Sequence, residues 1–435
     1  GLKINLMNDR FYTLVLLILG SSIGVLSSVK AEHDSASSFD EIPTFGGPSS
    51  TGVQLIDDNQ RRTGDFIQDE MPGWFAYKDR MMDEHGLALG INYSTLYQKA
   101  SAALGDDNAW GGIFQLPASW TLVNRGSKNT GTLVFKAENR HKISTDLAPQ
   151  DLGIQGIGAA SIVGTQFSDK DWILTNLFWQ QKLNDGKMTL VAGQIDNTDF
   201  LGVYGLINPQ TAFMNLSFST NPTIGIPDQG FGGAFGTMLG NNFYAVAGIM
   251  DAAGDPAHPG RSFSNFFDEN EYFTHIEIGY TSSQDRIYFD NINFLYWESD
   301  EQTTNGAVNE SKGSGWALSA AHFFQDKYMP FIRIGDSDGG GGALLEKMVS
   351  AGLGNYNWDS NELFGFGLSW AEASEDPVGG FGSNLDPQYT GEIFYRFQLS
   401  KNLAITPDLQ YIKDPVLNPN ESSVWIAGVR ARLAL

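Results

Sequence analysis

Residues 423–435 read Ser423-Val424-Trp425-Ile426-Ala427-Gly428-Val429-Arg430-Ala431-Arg432-Leu433-Ala434-Leu435. Every odd position from Trp425 to Leu435 is apolar, whereas Gly428, Arg430 and Arg432 share the other side. Side chains alternate across a strand, so this stretch has one apolar face and one face carrying two guanidinium groups. Residues 362–370 repeat the pattern, with Phe364, Phe366, Leu368 and Trp370 on one side. Residues 131–143 show it from the polar side, where Lys136, Glu138, Arg140 and Lys142 fall on alternate positions. Charges so placed cannot meet lipid, where an Arg at the bilayer midplane costs about 2–4 kcal/mol. A half-buried strand in a soluble sandwich alternates as well, so alternation alone leaves the surroundings open.

The connections narrow the choice. Sixteen strands are predicted near 87–99, 113–123, 131–143, 171–183, 187–196, 230–239, 242–251, 272–281, 286–298, 315–324, 329–336, 345–355, 362–371, 388–399, 402–413 and 423–435. Turns after even strands are short, as at Asn184-Asp185-Gly186 and Ser400-Lys401, whereas those after odd strands are mostly long, as at 144–170 and 197–229. Sorting of loop length by parity marks an outer-membrane barrel, and an even strand count puts both ends on the short-turn side. Beyond residue 31 no run of about 18 apolar residues occurs, so any crossing is made by strands. Tyr and Trp near strand ends, among them Trp120, Trp179, Tyr296, Trp316 and Trp425, suit interfacial girdles. The fold class is therefore all-β: a transmembrane antiparallel barrel of about sixteen strands, preceded by a short helical segment.

The whole chain has 435 residues, 27 Lys+Arg against 50 Asp+Glu, a net charge of −23 and no Cys. Such acidity excludes a nucleic-acid partner, because phosphate neutralisation needs clustered Lys and Arg. Absence of Cys excludes disulfides, thiolate metal sites and a lipoprotein anchor. No cofactor or metal set stands out, and the six His are isolated from one another. Lys3 and Arg10 flank the apolar run Phe11–Leu19, and Val29 and Ala31 occupy cleavage-site positions. Residues 1–31 thus read as a signal peptide, with an N-terminal membrane anchor as the alternative. Residues 32–63, rich in Ser, Asp, Gly and Pro, read as a flexible lead-in. Residues 64–85 read as a helical segment with Met71, Trp74, Phe75 and Met82 on one face, and 86–435 as the barrel.

In the last fifth of the chain, Glu392-Ile-Phe-Tyr395-Arg396-Phe397-Gln-Leu399 precedes Leu403-Ala-Ile-Thr406-Pro407-Asp408-Leu-Gln410-Tyr411-Ile412. Pro415, Asn418-Pro419, Val424-Trp425 and Gly428-Val429-Arg430 follow. This block closely resembles the carbohydrate-selective outer-membrane porins, the OprB family. Trp179 through Gly186, Gly193-Gln194-Ile195-Asp196, and Gly64-Asp65-Phe66 through Arg80 and Gly86 agree with it in order. Leu435 departs from the terminal aromatic common in outer-membrane strands, yet stays on the apolar face. The resemblance implies a sixteen-stranded pore in the bacterial outer membrane that passes monosaccharides such as glucose. It also implies a channel narrowed by basic residues and an inward-folded loop. Expected partners are a carbohydrate, outer-membrane lipid and lipopolysaccharide; monomer and homotrimer are both open.

Parity selects the lumen-facing candidates: Lys136, Glu138, Arg140, Gln194, Asp196, Arg333, Glu392, Arg396, Asp408, Gln410, Arg430 and Arg432. Arg offers five donors to sugar hydroxyls, and a neighbouring carboxylate keeps it oriented. Loop 197–229 carries Phe200, Tyr204, Phe213 and Phe218 and is too apolar to extend into water. Its rings would either stack on a sugar or pack against the wall. Two competing readings remain: a secreted β-rich glycoside hydrolase using carboxylates such as Glu138 and Glu392, and a structural or receptor barrel plugged by residues 64–85.

Overall fold

In the computed structural model, which describes residues 45–59, 66–304 and 307–435, the strand at 423–434 closes a ring. The ring strands are β1 (Asn92–Ala100), β2 (Asn108–Val123), β3 (Gly131–Lys142), β4 (Asp171–Leu183), β5 (Met188–Ile195), β6 (Gly230–Leu239), β7 (Phe243–Asp251) and β8 (Tyr272–Thr281). They continue as β9 (Asn291–Ser299), β10 (Gly313–Ala321), β11 (Tyr328–Ser337), β12 (Leu345–Asn357), β13 (Glu362–Ala373), β14 (Gln388–Gln398), β15 (Leu403–Lys413) and β16 (Ser423–Ala434). Each pairs antiparallel with its sequence neighbour, and β16 pairs with β1 from Ile426↔Ala100 to Ala434↔Asn92. The result is a closed sixteen-stranded antiparallel barrel. Among the described residues no helix is long and apolar enough to cross a membrane.

Hydrophobicity is reversed relative to a water-soluble sheet. On β16, Trp425 is 50% exposed and Arg430 is 1% exposed. On β9, Ile292 and Phe294 face out while Asn291 and Asn293 are buried. An exposed apolar band around a polar interior is the solution that lipid imposes on strands. Rings cluster towards strand ends on the outer face, for example Tyr411 with Trp425 at 4.6 Å and Phe294 with Trp316 at 6.2 Å.

The tight turn after β4 is made by Asn184, Asp185 and Gly186, all at positive φ (52°, 55° and 77°). These are the residue types that enter the left-handed region at least cost. Four boundaries differ from the sequence expectation. Residues 87–99 divide into a short strand Leu87–Leu89, which pairs with β2, and β1 proper. β2 starts at Asn108 rather than 113. β9 starts at Asn291 because Gln284–Arg286 forms a 3-10 turn, followed by Asp290 bonding back to Arg286 Nε at 2.5 Å. β10 ends at Ala321.

A sixteen-stranded ring is too wide for wall side chains to fill, and chain segments occupy the interior. Loop 143–170 contributes Phe167, which packs with Leu96, Ile113 and Met214. Loop 196–229 contributes Met214 itself and the buried rings of Phe200, Tyr204, Phe213 and Phe218.

The N-terminal part needs a correction. The signal peptide expected at 1–31 lies outside the described residues, as do 32–44 and 60–65. Residues 45–59, expected to be a flexible lead-in, are ordered; Thr51–Asn59 is a helix (α1), and Phe45, Ser49, Gln54, Leu55 and Asp58 are buried. Their polar groups find partners on the wall and loops, which a search for apolar periodicity does not detect. Helices α2 (Phe66–Glu70) and α3 (Pro72–His85) follow. The buried face of α3 is Phe75 and Lys78, whereas Met71 and Met82 are exposed. Gly86 ends α3 at φ 67°, and Trp120 Nε1 and Arg125 Nη1 donate to the carbonyls of His85 and Glu84. The β2–β3 hairpin thereby caps the helix.

Candidate functional site

On β3 the register turns Lys136, Glu138 and Arg140 inward, all buried. Glu138 Oε2 accepts from Arg140 Nε and Nη2, both at 2.7 Å. Its Oε1 accepts from Gln115 Nε2 at 2.8 Å and lies 3.7 Å from Lys136 Nζ. One carboxylate thus orients two cations. Arg140 borders a cavity of about 300 Å³ whose polar rim includes Gln150, Gln166, Asp196 and Gln229, facing Ile207, Pro209 and Ile224.

Other wall charges grip the loop that forms the opposite side of this cavity. Arg333 donates to the carbonyls of Thr220 (2.8 Å) and Gly202 (2.9 Å), with its guanidinium 4.7 Å from the Tyr204 ring centre. Arg396 donates to Thr211 O at 3.2 Å and to Asn361 O and Oδ1, both at 2.8 Å. Arg430 donates to Pro209 O and Ala212 O at 2.6 and 3.0 Å. Glu392 accepts the backbone N–H groups of Met214 and Asn215 at 2.7 and 2.9 Å. Gln410 accepts from Asn215 Nδ2 and donates to Val163 O and to Asp408 Oδ1. Arg432 forms a two-pronged pair with Asp58 of α1, both contacts at 2.8 Å.

One expectation changes. Gln194 has the parity of Leu190 and Ala192 and pairs across with Leu177 and Phe231, so it belongs to the outer side. It is sheltered there because its amide donates to Leu174 O and Gln229 O. Asp196 lies beyond the end of β5, accepts from Thr198 and Gln229, and still borders the cavity. For the rings, packing against the wall was one of the two alternatives. Phe213 sits among Phe394, Phe331 and Phe218 at 5.0–5.7 Å, and Tyr204 packs on Phe331 while its hydroxyl donates to Phe218 O. Phe200 lies against Phe178. These rings are buried against one another and against the wall, because apolar surface in a polar lumen is most stable against other apolar surface.

Gln115, Asp199 and Gln229 did not stand out in the sequence. Gln115 falls inside the predicted strand 113–123 and shares the parity of the buried Ile113, which is the signal that could have found it. The other two lie in a loop, where no period exists. Asp199 Oδ1 accepts from Ser49 Oγ at 3.0 Å, and Oδ2 from Asn176 Nδ2 at 3.4 Å. Burial pushes this carboxyl from 3.8 up to about 7, against the pull of Lys136 and with help from Asp196. Because the folded value is raised, its stabilisation is present below pH 3.8 and is lost as pH rises towards 7. The unfolding temperature in detergent should therefore fall between pH 4.5 and 8, by on the order of 2–4 kcal/mol of stability. Asp199→Asn should flatten that slope; an unaltered slope would contradict the assignment.

A closed antiparallel barrel, apolar outside, charged inside and narrowed by its own loops, is a porin-class channel. The profile of the carbohydrate-selective porin, OprB family, matches residues 111–309 and 355–435, and the chain belongs to that family. It is 22% identical over 356 residues to Porin AaxA of Chlamydia pneumoniae, covering 77% of this chain and 75% of the relative. The structure of Pseudomonas putida OprB at high pH superposes with a TM-score of 0.64 at 15% identity, over 83% of this chain and 97% of that one. The fold is shared with that protein.

Proposed function

We propose that this chain is an outer-membrane pore for the passive diffusion of monosaccharides such as glucose, with Arg140, Glu138 and Gln115 at its selective contact. The observation that carries the reading is the Arg140–Glu138 pair on the edge of the cavity between β3 and loop 196–229. A sugar crossing a narrow pore must exchange water for protein donors and acceptors without being trapped. Arg140 keeps further donors beyond the two held by Glu138. Gln115 Oε1 and Gln229 Oε1 are buried acceptors without a partner among the described residues, suited to sugar hydroxyl donors.

Hydrolysis is disfavoured by the carboxylates themselves. Glu138 is committed to Arg140, Lys136 and Gln115, and both oxygens of Glu392 to loop N–H groups. Neither is poised beside a cleavable bond as a retaining or inverting pair requires. Liposome swelling with a panel of sugars tests the proposal. Glucose should enter faster than disaccharides, and Arg140→Ala should reduce that discrimination roughly tenfold, as expected for losing about 1.4 kcal/mol of selective contact. Equal swelling by the wild type and Arg140→Ala across the panel would refute it.

A further inference from the structure

Residues 45–59 run inside the ring from one arc of the wall to another, with α1 lying against β2 and β3. At one end Phe45 packs over Gly236 of β6 and 6.3 Å from the Tyr244 ring of β7. Gly236 makes that seat possible, since a Cβ there would lie 2.4 Å from the Phe45 ring. Gly46 N–H donates to Tyr288 Oη at 2.6 Å. In the middle, Gly47 N–H donates to Asp199 O, Ser49 Oγ to the Asp199 carboxylate, and Asn208 Nδ2 to Pro48 O. At the other end the Asp58 carboxylate accepts two bonds from Arg432 of β16 and one from Asn92 of β1. The two attachment points lie on separate arcs of the ring, β6–β7 and β16–β1, and the chain between them follows the inner face past β2 and β3. Ser49 also borders the cavity that holds Arg140.

We infer that residues 45–59 form a second constriction in series with loop 196–229, a strap held by the Asp58–Arg432 pair that helps set the size of solute admitted. This rests on the pore reading above. A strap hydrogen-bonded to the constriction loop at Asp199 and Asn208 extends the narrow part of the passage beyond that loop. Its glycines matter here for a concrete reason: a Cβ on Gly47 would fall 2.1 Å from Val203 Cγ1, so the strap and loop meet backbone to side chain.

The chain has no Cys, so a single introduced thiol reports cleanly. Full-length Ser49→Cys, reconstituted in planar bilayers, should lose about two-fold or more of its single-channel conductance when a cationic methanethiosulfonate is added. The wild type should not respond, and neither should Ser127→Cys in the exposed β2–β3 turn. Asp58→Ala should raise conductance and let larger oligosaccharides swell liposomes. An introduced thiol at position 49 that is modified without change in conductance, or that stays unmodified while the channel conducts, would overturn the inference. So would Asp58→Ala channels with wild-type conductance and size limit. If the wild type itself forms no channels, the pore reading fails instead.

Discussion

Glu392→Ala is expected to turn a discriminating channel into a wider and less selective one. The carboxylate accepts two loop N–H groups, at Met214 and Asn215, in a buried setting. Its removal orphans both donors, at about 1–3 kcal/mol each. The neighbouring grips at Pro209, Thr211 and Ala212 come from Arg396 and Arg430, which remain. The loop should therefore stay inside the barrel but lose its set position near residues 213–215. Disaccharide swelling should rise towards the glucose rate, whereas the heat-modifiable gel shift of a folded barrel persists. Glu392→Gln retains one acceptor oxygen and should fall between the two. If the sugar ratio of Glu392→Ala matches the wild type, the wall does not set the loop's aperture.

The second large effect concerns Glu138→Ala. This change leaves Lys136 and Arg140 buried on one face without the carboxylate that lies between them. Breaking a buried ion cluster by removing one partner costs about 3–5 kcal/mol. The temperature of the heat-modifiable transition should drop accordingly. The same variant makes the net charge more positive at the proposed selective contact. The reversal potential across a salt gradient should then move towards anion preference, and Glu138→Gln should show the shift with a smaller loss of stability. Loss of stability without any change in ion selectivity would mean that Glu138 only braces the wall.

Much of the barrel was legible in the sequence because the strand period is two. Arg333 lies between Ile332 and Ile334, and Arg430 between Val429 and Ala431, so the direction of each guanidinium followed from its neighbours. Gln194 shows the limit: parity counted from the wrong partner at a strand end sends a side chain to the opposite face. Gly193, at φ 140°, lies immediately before it. The wall charges were legible as inward, but what they touch was not. Their acceptors are carbonyls of loop 196–229, and a loop has no period to place it. The strap was hidden for the same reason. Ser49 and Asp58 are buried through bonds to distant segments, and their polarity resembles that of a solvated tail.

The Asp58 carboxylate touches both strands of the seam, Arg432 on the last and Asn92 on the first. A ring that is still open offers α1 only half of this socket. An unseated α1 in turn leaves Arg432 enclosed without its counter-charge. Sealing the cylinder and docking its inner strap are thus coupled steps of assembly, and each helps drive the other to completion.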